Sequence, residues 1–169
     1  MISKASPPTH PVITCWITFW VLVCANVRAD GPLMLIATGG RQETTHDGTT
    51  NPQRFPPHKW ILIAPQSTFG ATVTWECGPF QHVDLDGYLA DVQLEVSVES
   101  RGANNAWGVL VPFDRTFVRH GNNQASVVAH SRHRGNAQVE LHVTMLENEQ
   151  GILASGDYEA VVIATITEN

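Results

Sequence analysis

Period-two alternation constrains this chain more than any other feature. The run 92–99, Val-Gln-Leu-Glu-Val-Ser-Val-Glu, puts its apolar side chains on one parity and its polar ones on the other. That is the pattern of a strand with one buried and one wet face. The runs 71–77 and 139–145 alternate in the same way, and 60–63, 109–111, 116–118 and 126–129 are short apolar pieces. Glycine-, proline- and asparagine-bearing breaks at 78–79, 101–105, 121–123 and 134–136 separate them. With the closing run 158–167, this predicts about seven strands with turns every 8–12 residues, the signature of a β-sandwich. No useful stretch keeps a 3.6-residue period, and no internal repeat is present.

Apolar residues make up 43% of the 169 and charged residues 15%, so a core can be buried without help from disorder-prone composition. The net charge of −6 argues against nucleic acid or an anionic membrane surface as partner, since both need a basic footprint.

Lys4 is the only charge before an uncharged apolar run at 11–25, which closes on Val27-Arg28-Ala29. The arrangement predicts a secretory signal over 1–29, cleaved before Asp30. A membrane anchor is the rival, but the run is at or below the roughly 17–25 residues a spanning helix needs. No integral membrane segment is expected after cleavage. Cys15 and Cys24 leave with the signal, and Cys77 then has no partner for an internal bridge. It is either a buried thiol or an intermolecular cross-link.

The segment 30–58 reads as an N-terminal extension and linker: Leu33, Met34, Leu35, Ile36 and Ala37 are apolar, and 38–58 is rich in Gly, Thr, Asn, Gln and Pro. The folded domain is expected over 59–169. Its last strand carries Val161-Val162-Ile163, apolar on both faces, which predicts a place inside the sandwich. Only Glu168 and Asn169 follow it. If it were the penultimate strand of an immunoglobulin-like order, its outer edge would lack a cover and would invite pairing with another chain.

Signals for chemistry are weak. His120, His130, His133 and His142 crowd one stretch, but Arg132 and Arg134 flank it and acids are elsewhere, so a weakly cationic turn competes with a metal site. Cys77 has only His82 nearby, and no Gly-x-Ser-x-Gly elbow or phosphate-binding glycine loop occurs. Asp84 and Asp86 precede Gly87 and read as turn residues. Trp60, Trp75 and Trp107 form either a sugar-binding surface or, as large apolar groups in strands, core. Neither catalysis nor a cofactor nor a metal is expected.

The tail 150–167, with its small-residue turn, Gly156-Asp157-Tyr158 and a closing strand ending in threonine, resembles the C-terminus of chaperone–usher pilus subunits. It is most similar to the CS1-type (alpha-class) fimbrial major subunits. The resemblance runs over about 139–169, with Val139 to Val143 as the strand before the last, and more loosely over 108–121. It implies an incomplete immunoglobulin-like sandwich, lacking its last strand, that polymerises by donor-strand complementation and exchange at the cell surface, reached through the periplasm. It further implies a periplasmic chaperone, an outer-membrane usher and identical or related subunits as partners. Leu33, Met34, Leu35, Ile36 and Ala37 would then be the donor strand, with Leu33, Leu35 and Ala37 on one parity and Met34 and Ile36 on the other. Tyr158, Val161, Ile163 and Thr165 would form the acceptor edge. The long polar linker, Cys77 and the tryptophans depart from a major subunit. Two other readings stand beside it: a secreted sandwich that binds carbohydrate or protein through loop aromatics, and a small metal-binding periplasmic protein.

Overall fold

The computed structural model describes residues 33–42, 52–64, 69–101, 106–147, 154 and 156–169. Residues 1–29, where a signal is expected, and the middle of the polar linker, 43–51, lie outside them. Among the described residues the chain is strand throughout, apart from one short 3-10 turn at Val118–His120. No helix there is long and apolar enough to cross a membrane.

The strands are β1 Met34–Ala37, β2 Gln53–Arg54, β3 His58–Ala64, β4 Ala71–Cys77, β5 Phe80–His82, β6 Leu89–Arg101, β7 Trp107–Val111, β8 Phe113–Arg115, β9 Ala125–Ser131, β10 Gly135–Leu146, β11 Tyr158–Glu159 and β12 Val162–Glu168. They make two antiparallel sheets. The first runs β1-β3-β10-β6-β5-β11, with β2 also on β10 and β8 also on β6; the second runs β12-β4-β9-β7. The expected all-β sandwich is what forms.

Alternation is the cause. Along β3 and β4 every second residue is buried, and β9 and most of β10 repeat the rhythm. The inward set includes Trp60, Leu62, Val73, Trp75, Val127, Val139 and Leu141, each at most 1% exposed. A fully buried side chain of this size contributes about 1.5–3 kcal/mol through area removed from water. Trp60 on β3 meets Trp75 on β4 edge-on across the two sheets, with ring centres 6.2 Å apart. Trp107 is 5% exposed, so all three tryptophans inspected above are core.

Several strands are one strand broken at a readable point. β2 and β3 both run along β10, and Phe55 donates to the Val143 carbonyl between them. The break falls at Pro56-Pro57, which have no N–H to give the ladder. The sheet therefore begins before the expected boundary at residue 59: Phe55 and His58 are each 2% exposed. Likewise β4 and β5 are interrupted at Gly78-Pro79, where the chain crosses from the second sheet to the first. β11 and β12 follow them across, pairing with β5 and β4 in turn.

The expected strand at 116–118 does not form. Thr116 is fully buried and donates to Asp91 Oδ1 at 2.8 Å, which also accepts the Val118 N–H at 2.9 Å. The Thr116 N–H still donates to the Val92 carbonyl, but the Thr116 hydroxyl accepts the Val92 N–H in return. The capture of Val118 by Asp91 ends the ladder and starts the 3-10 turn, which Gly121 ends at φ 79°. Strand character moves upstream, to β8.

If broken strands are counted as one and β1 is set aside, seven principal strands appear among the described residues, with β3 in the first and β12 in the last. The pairings among the second to sixth are those of an immunoglobulin-like sandwich. The first and last have traded sheets: β3 sits beside β10, and β12 sits beside β4.

Candidate functional site

The two sheets cross the sandwich in the same sense. β3 lies over β4 through the tryptophan pair, and β6 lies against β7 and β9. The outermost strands β1 and β12 therefore fall on one flank, in opposite sheets.

On β1, Leu35 is 6% exposed and in the core, with Leu33 and Ala37 packed against it, while Met34 and Ile36 face solvent. The inward parity of the N-terminal segment is thus Leu33, Leu35 and Ala37. The segment is antiparallel to β3, Met34 opposite Ile63 and Ala37 opposite Trp60. It does not lie beside β12. Thr38 ends the strand by donating both its N–H and its hydroxyl to the Lys59 carbonyl, each at 2.9 Å.

The expected acceptor residues separate. Tyr158 lies on β11, opposite His82, with its ring fully buried 5.0 Å from the His82 ring and its hydroxyl donating to the Ala154 carbonyl at 3.2 Å. Burial holds its phenol above the ordinary range. Val161 stands between β11 and β12. Ile163 and Thr165 lie on the solvent face of β12, opposite Glu76 and Thr74. The expectation that this run is buried on both faces is corrected: Val162 is fully buried, but Val161 is 40% and Ile163 45% exposed. The reason is position, since a sheet edge in a two-layer sandwich covers one face only.

Among the described residues β12 pairs with β4 alone. The Asn169 N–H bonds to the Gly70 carbonyl, which makes that couple a hydrogen-bonded pair of the ladder. Hydrogen-bonded and open pairs alternate along antiparallel strands. Ile163, Thr165 and Thr167 therefore bond to β4, while the N–H and C=O groups of Val162, Ala164 and Ile166 point away from it. The same parity through the Thr38–Lys59 bond turns the backbone of Leu35 and Ala37 outward on β1. Of the four expected acceptor residues, Tyr158 is buried on β11 and Val161, Ile163 and Thr165 turn side chains, not backbone, to the outside; the groups able to receive a strand belong to their neighbours on β12. Only the register against β4 carries that signal.

The lower edge of β12 is held firmly. Asn169 Nδ2 donates to the Ser131 carbonyl at 3.0 Å, and Ser131 Oγ accepts the Ala71 N–H at 2.9 Å. Gly70, at φ 87°, passes so close to the Ser131 carbonyl that a Cβ would sit 2.0 Å from its oxygen.

The chemical candidates stay apart. His130 projects outward from the second sheet and His142 from the first, while His120 lies on the 3-10 turn and His133 on the turn at 132–134. Among the described residues no three His, Cys, Asp or Glu side chains are grouped to hold a metal. Cys77 is a buried thiol whose pKa is pushed up to about 12 by desolvation, so no thiolate is available as nucleophile. Asp84 and Asp86 do lie in a turn, but the group that orders it is His82, whose Nδ1 accepts the N–H of Asp84 at 3.0 Å and of Leu85 at 3.1 Å.

No protein-family model, no curated protein and no solved structure matches this chain.

Proposed function

We propose that this protein is a non-catalytic structural subunit that joins its neighbours by β-strand addition, as subunits of a surface fimbria do. One observation carries the reading: among the described residues β12 is a seven-residue strand paired on a single side, with the backbone of Val162, Ala164 and Ile166 turned outward. Native monomers blunt such edges with charge or proline, and residues 160–167 contain neither. Strand addition takes its affinity from main-chain hydrogen bonds and its selectivity from alternate side chains. The segment Leu33 to Ala37 supports the donor role, because it already lies as a strand with alternate residues packed on a core. The periplasmic chaperone, the outer-membrane usher and the cell-surface location belong to this proposal.

The test is deletion of 33–37 from the full chain, with assembly followed by electron microscopy of cells carrying a chaperone–usher system. The body is expected to fold, as read from its tryptophan circular dichroism, and to be missing from fibres. Fibres formed by the truncated protein would remove the donor assignment, and an intact chain that never forms fibres would remove the reading itself.

A further inference from the structure

Before any donor arrives, the open flank must be covered by something, and we infer that its cover is the same flank of a second copy, paired β12 to β12 about a two-fold axis. The inference rests on the strand-addition reading only in taking the β12 edge as an interaction surface. It departs from that reading in the occupant: no strand leaves its own sandwich, and the product is a closed pair.

Three observations point to a second copy. The first is that, among the described residues, the flank offers two open edges at once, β1 in one sheet and β12 in the other, and packed sheets stand about 10 Å apart. A single extended peptide satisfies one of them. A second sandwich flank satisfies both, because a two-fold axis perpendicular to the sheets sets β12 against β12 and β1 against β1. Each pairing is antiparallel and of equal length, as an isologous contact requires.

The second is charge. A molecule of net charge −6 meets its copy against general repulsion, and a two-fold puts every group near the axis beside its own kind. Neither 33–38 nor 160–167 contains a charged residue. These two edges can face themselves without placing like charges together at the seam.

The third is where apolar surface is left out. Met34, Ile36, Val161 and Ile163 are 41%, 37%, 40% and 45% exposed. Met34 and Ile36 stand opposite Ile63 and Ile61, both half-buried, so β1 carries an aliphatic block on its outer face right to the open edge. Pairing the edges covers the rims of both blocks while the outward N–H and C=O groups of Val162, Ala164 and Ile166 are satisfied.

The experiment uses the purified full chain in sedimentation velocity over a concentration series, with three variants. Ala164→Pro removes one outward N–H and leaves the bonds to β4 in place. Ile163→Lys sets two lysines at the seam. Ile163→Cys, in a chain that also carries Cys15→Ser and Cys24→Ser, is oxidised and examined on a non-reducing gel. The native chain is expected to be dimeric, both non-cysteine variants are expected to weaken the dimer by about tenfold or more, and the cysteine variant is expected to give a covalent dimer and no higher species. Near-ultraviolet circular dichroism from the buried tryptophans confirms that each variant is folded. A native chain that stays monomeric overturns the inference. So does a dimer indifferent to Ala164→Pro and Ile163→Lys, which would mean exchange of β1 or another surface. Either result leaves the fibre experiment above to decide the strand-addition reading separately.

Discussion

The two flanks of the sandwich are built on opposite principles. On one, the chain turns β7 into β8 and lays β8 along β6, so the second sheet folds over the edge of the first. Bonds from Val96 N–H to the Pro112 carbonyl and from Ser126 N–H to Asp114 Oδ2 tie the corner down, and the far end of β7 is held to the first sheet by Trp107 Nε1 donating to the Gly135 carbonyl. Asp91 and Thr116 are buried there with bonded partners. On the other flank, among the described residues, β1 and β12 each pair on one side only, and the single charge on either strand is Glu168 at the end of β12. A flank closed by its own chain needs polar groups placed to catch the backbone at the bend. A flank left open needs none, and exposed aliphatic side chains collect beside it.

The sharpest way to break the contrast is to take proline along β12. Thr165→Pro removes an N–H that bonds to β4 and is expected to cost about 3 kcal/mol or more, whereas Ala164→Pro, one residue away, keeps every bond to β4 and should cost less, about 1–2 kcal/mol from fitting the ring at a buried site. Urea midpoints at low protein concentration measure both. Equal costs would mean that the edge parity is wrong.

Acid should separate the flanks next. His58, at the start of β3 under Gly39, is held neutral by burial, its pKa lowered to about 4. The unfolded chain takes up its proton near 6.5 and the folded chain only near 4, so stability is complete above the first value and falls as pH drops towards the second. The loss reaches about 3 kcal/mol at most. Denaturant titrations at stepped pH are expected to show this fall, and His58→Leu should flatten it.

On the closed flank, Asp91→Ala leaves the Thr116 hydroxyl and the Val118 N–H without their acceptor and should cost about 2–3 kcal/mol by thermal unfolding. Adding Thr116→Val should cost less than its single-variant effect, since the two side chains act as one unit. On the open flank, Leu35→Ala is expected to cost about 2 kcal/mol, the low end for a buried leucine, because β1 rests on β3 alone. The smallest effect belongs to Arg54→Ala. Its 3.0 Å pair with Glu95 is exposed, and its loss should move the midpoint by no more than about 0.5 kcal/mol.

Much of this fold was legible beforehand, and the reason is local. Where one face is buried and one is wet, as at 71–77, 92–99 and 139–145, a strand writes its own period into the sequence. Trp75 falls on the inward parity of such a run; Trp60 and Trp107 stand outside any alternating run, and their burial came from the fold. What escaped were pieces defined by a distant partner. β5 and β8 are three residues each and show no period of their own. The 3-10 turn at 118–120 exists because Asp91, far back in the chain, captures Val118. The linker's last residues joined the sheet because β10 was long enough to hold them.

Alternation was enough to specify a β-sandwich and the inward parity of its long strands, because it is a property each segment carries alone. Tertiary structure alone decided that the first and last strands trade sheets, that β1 lies on β3, and that Val162, Ala164 and Ile166 turn their backbone outward. Those facts depend on which strand lies next to which, and on a register set by partners that no local pattern names.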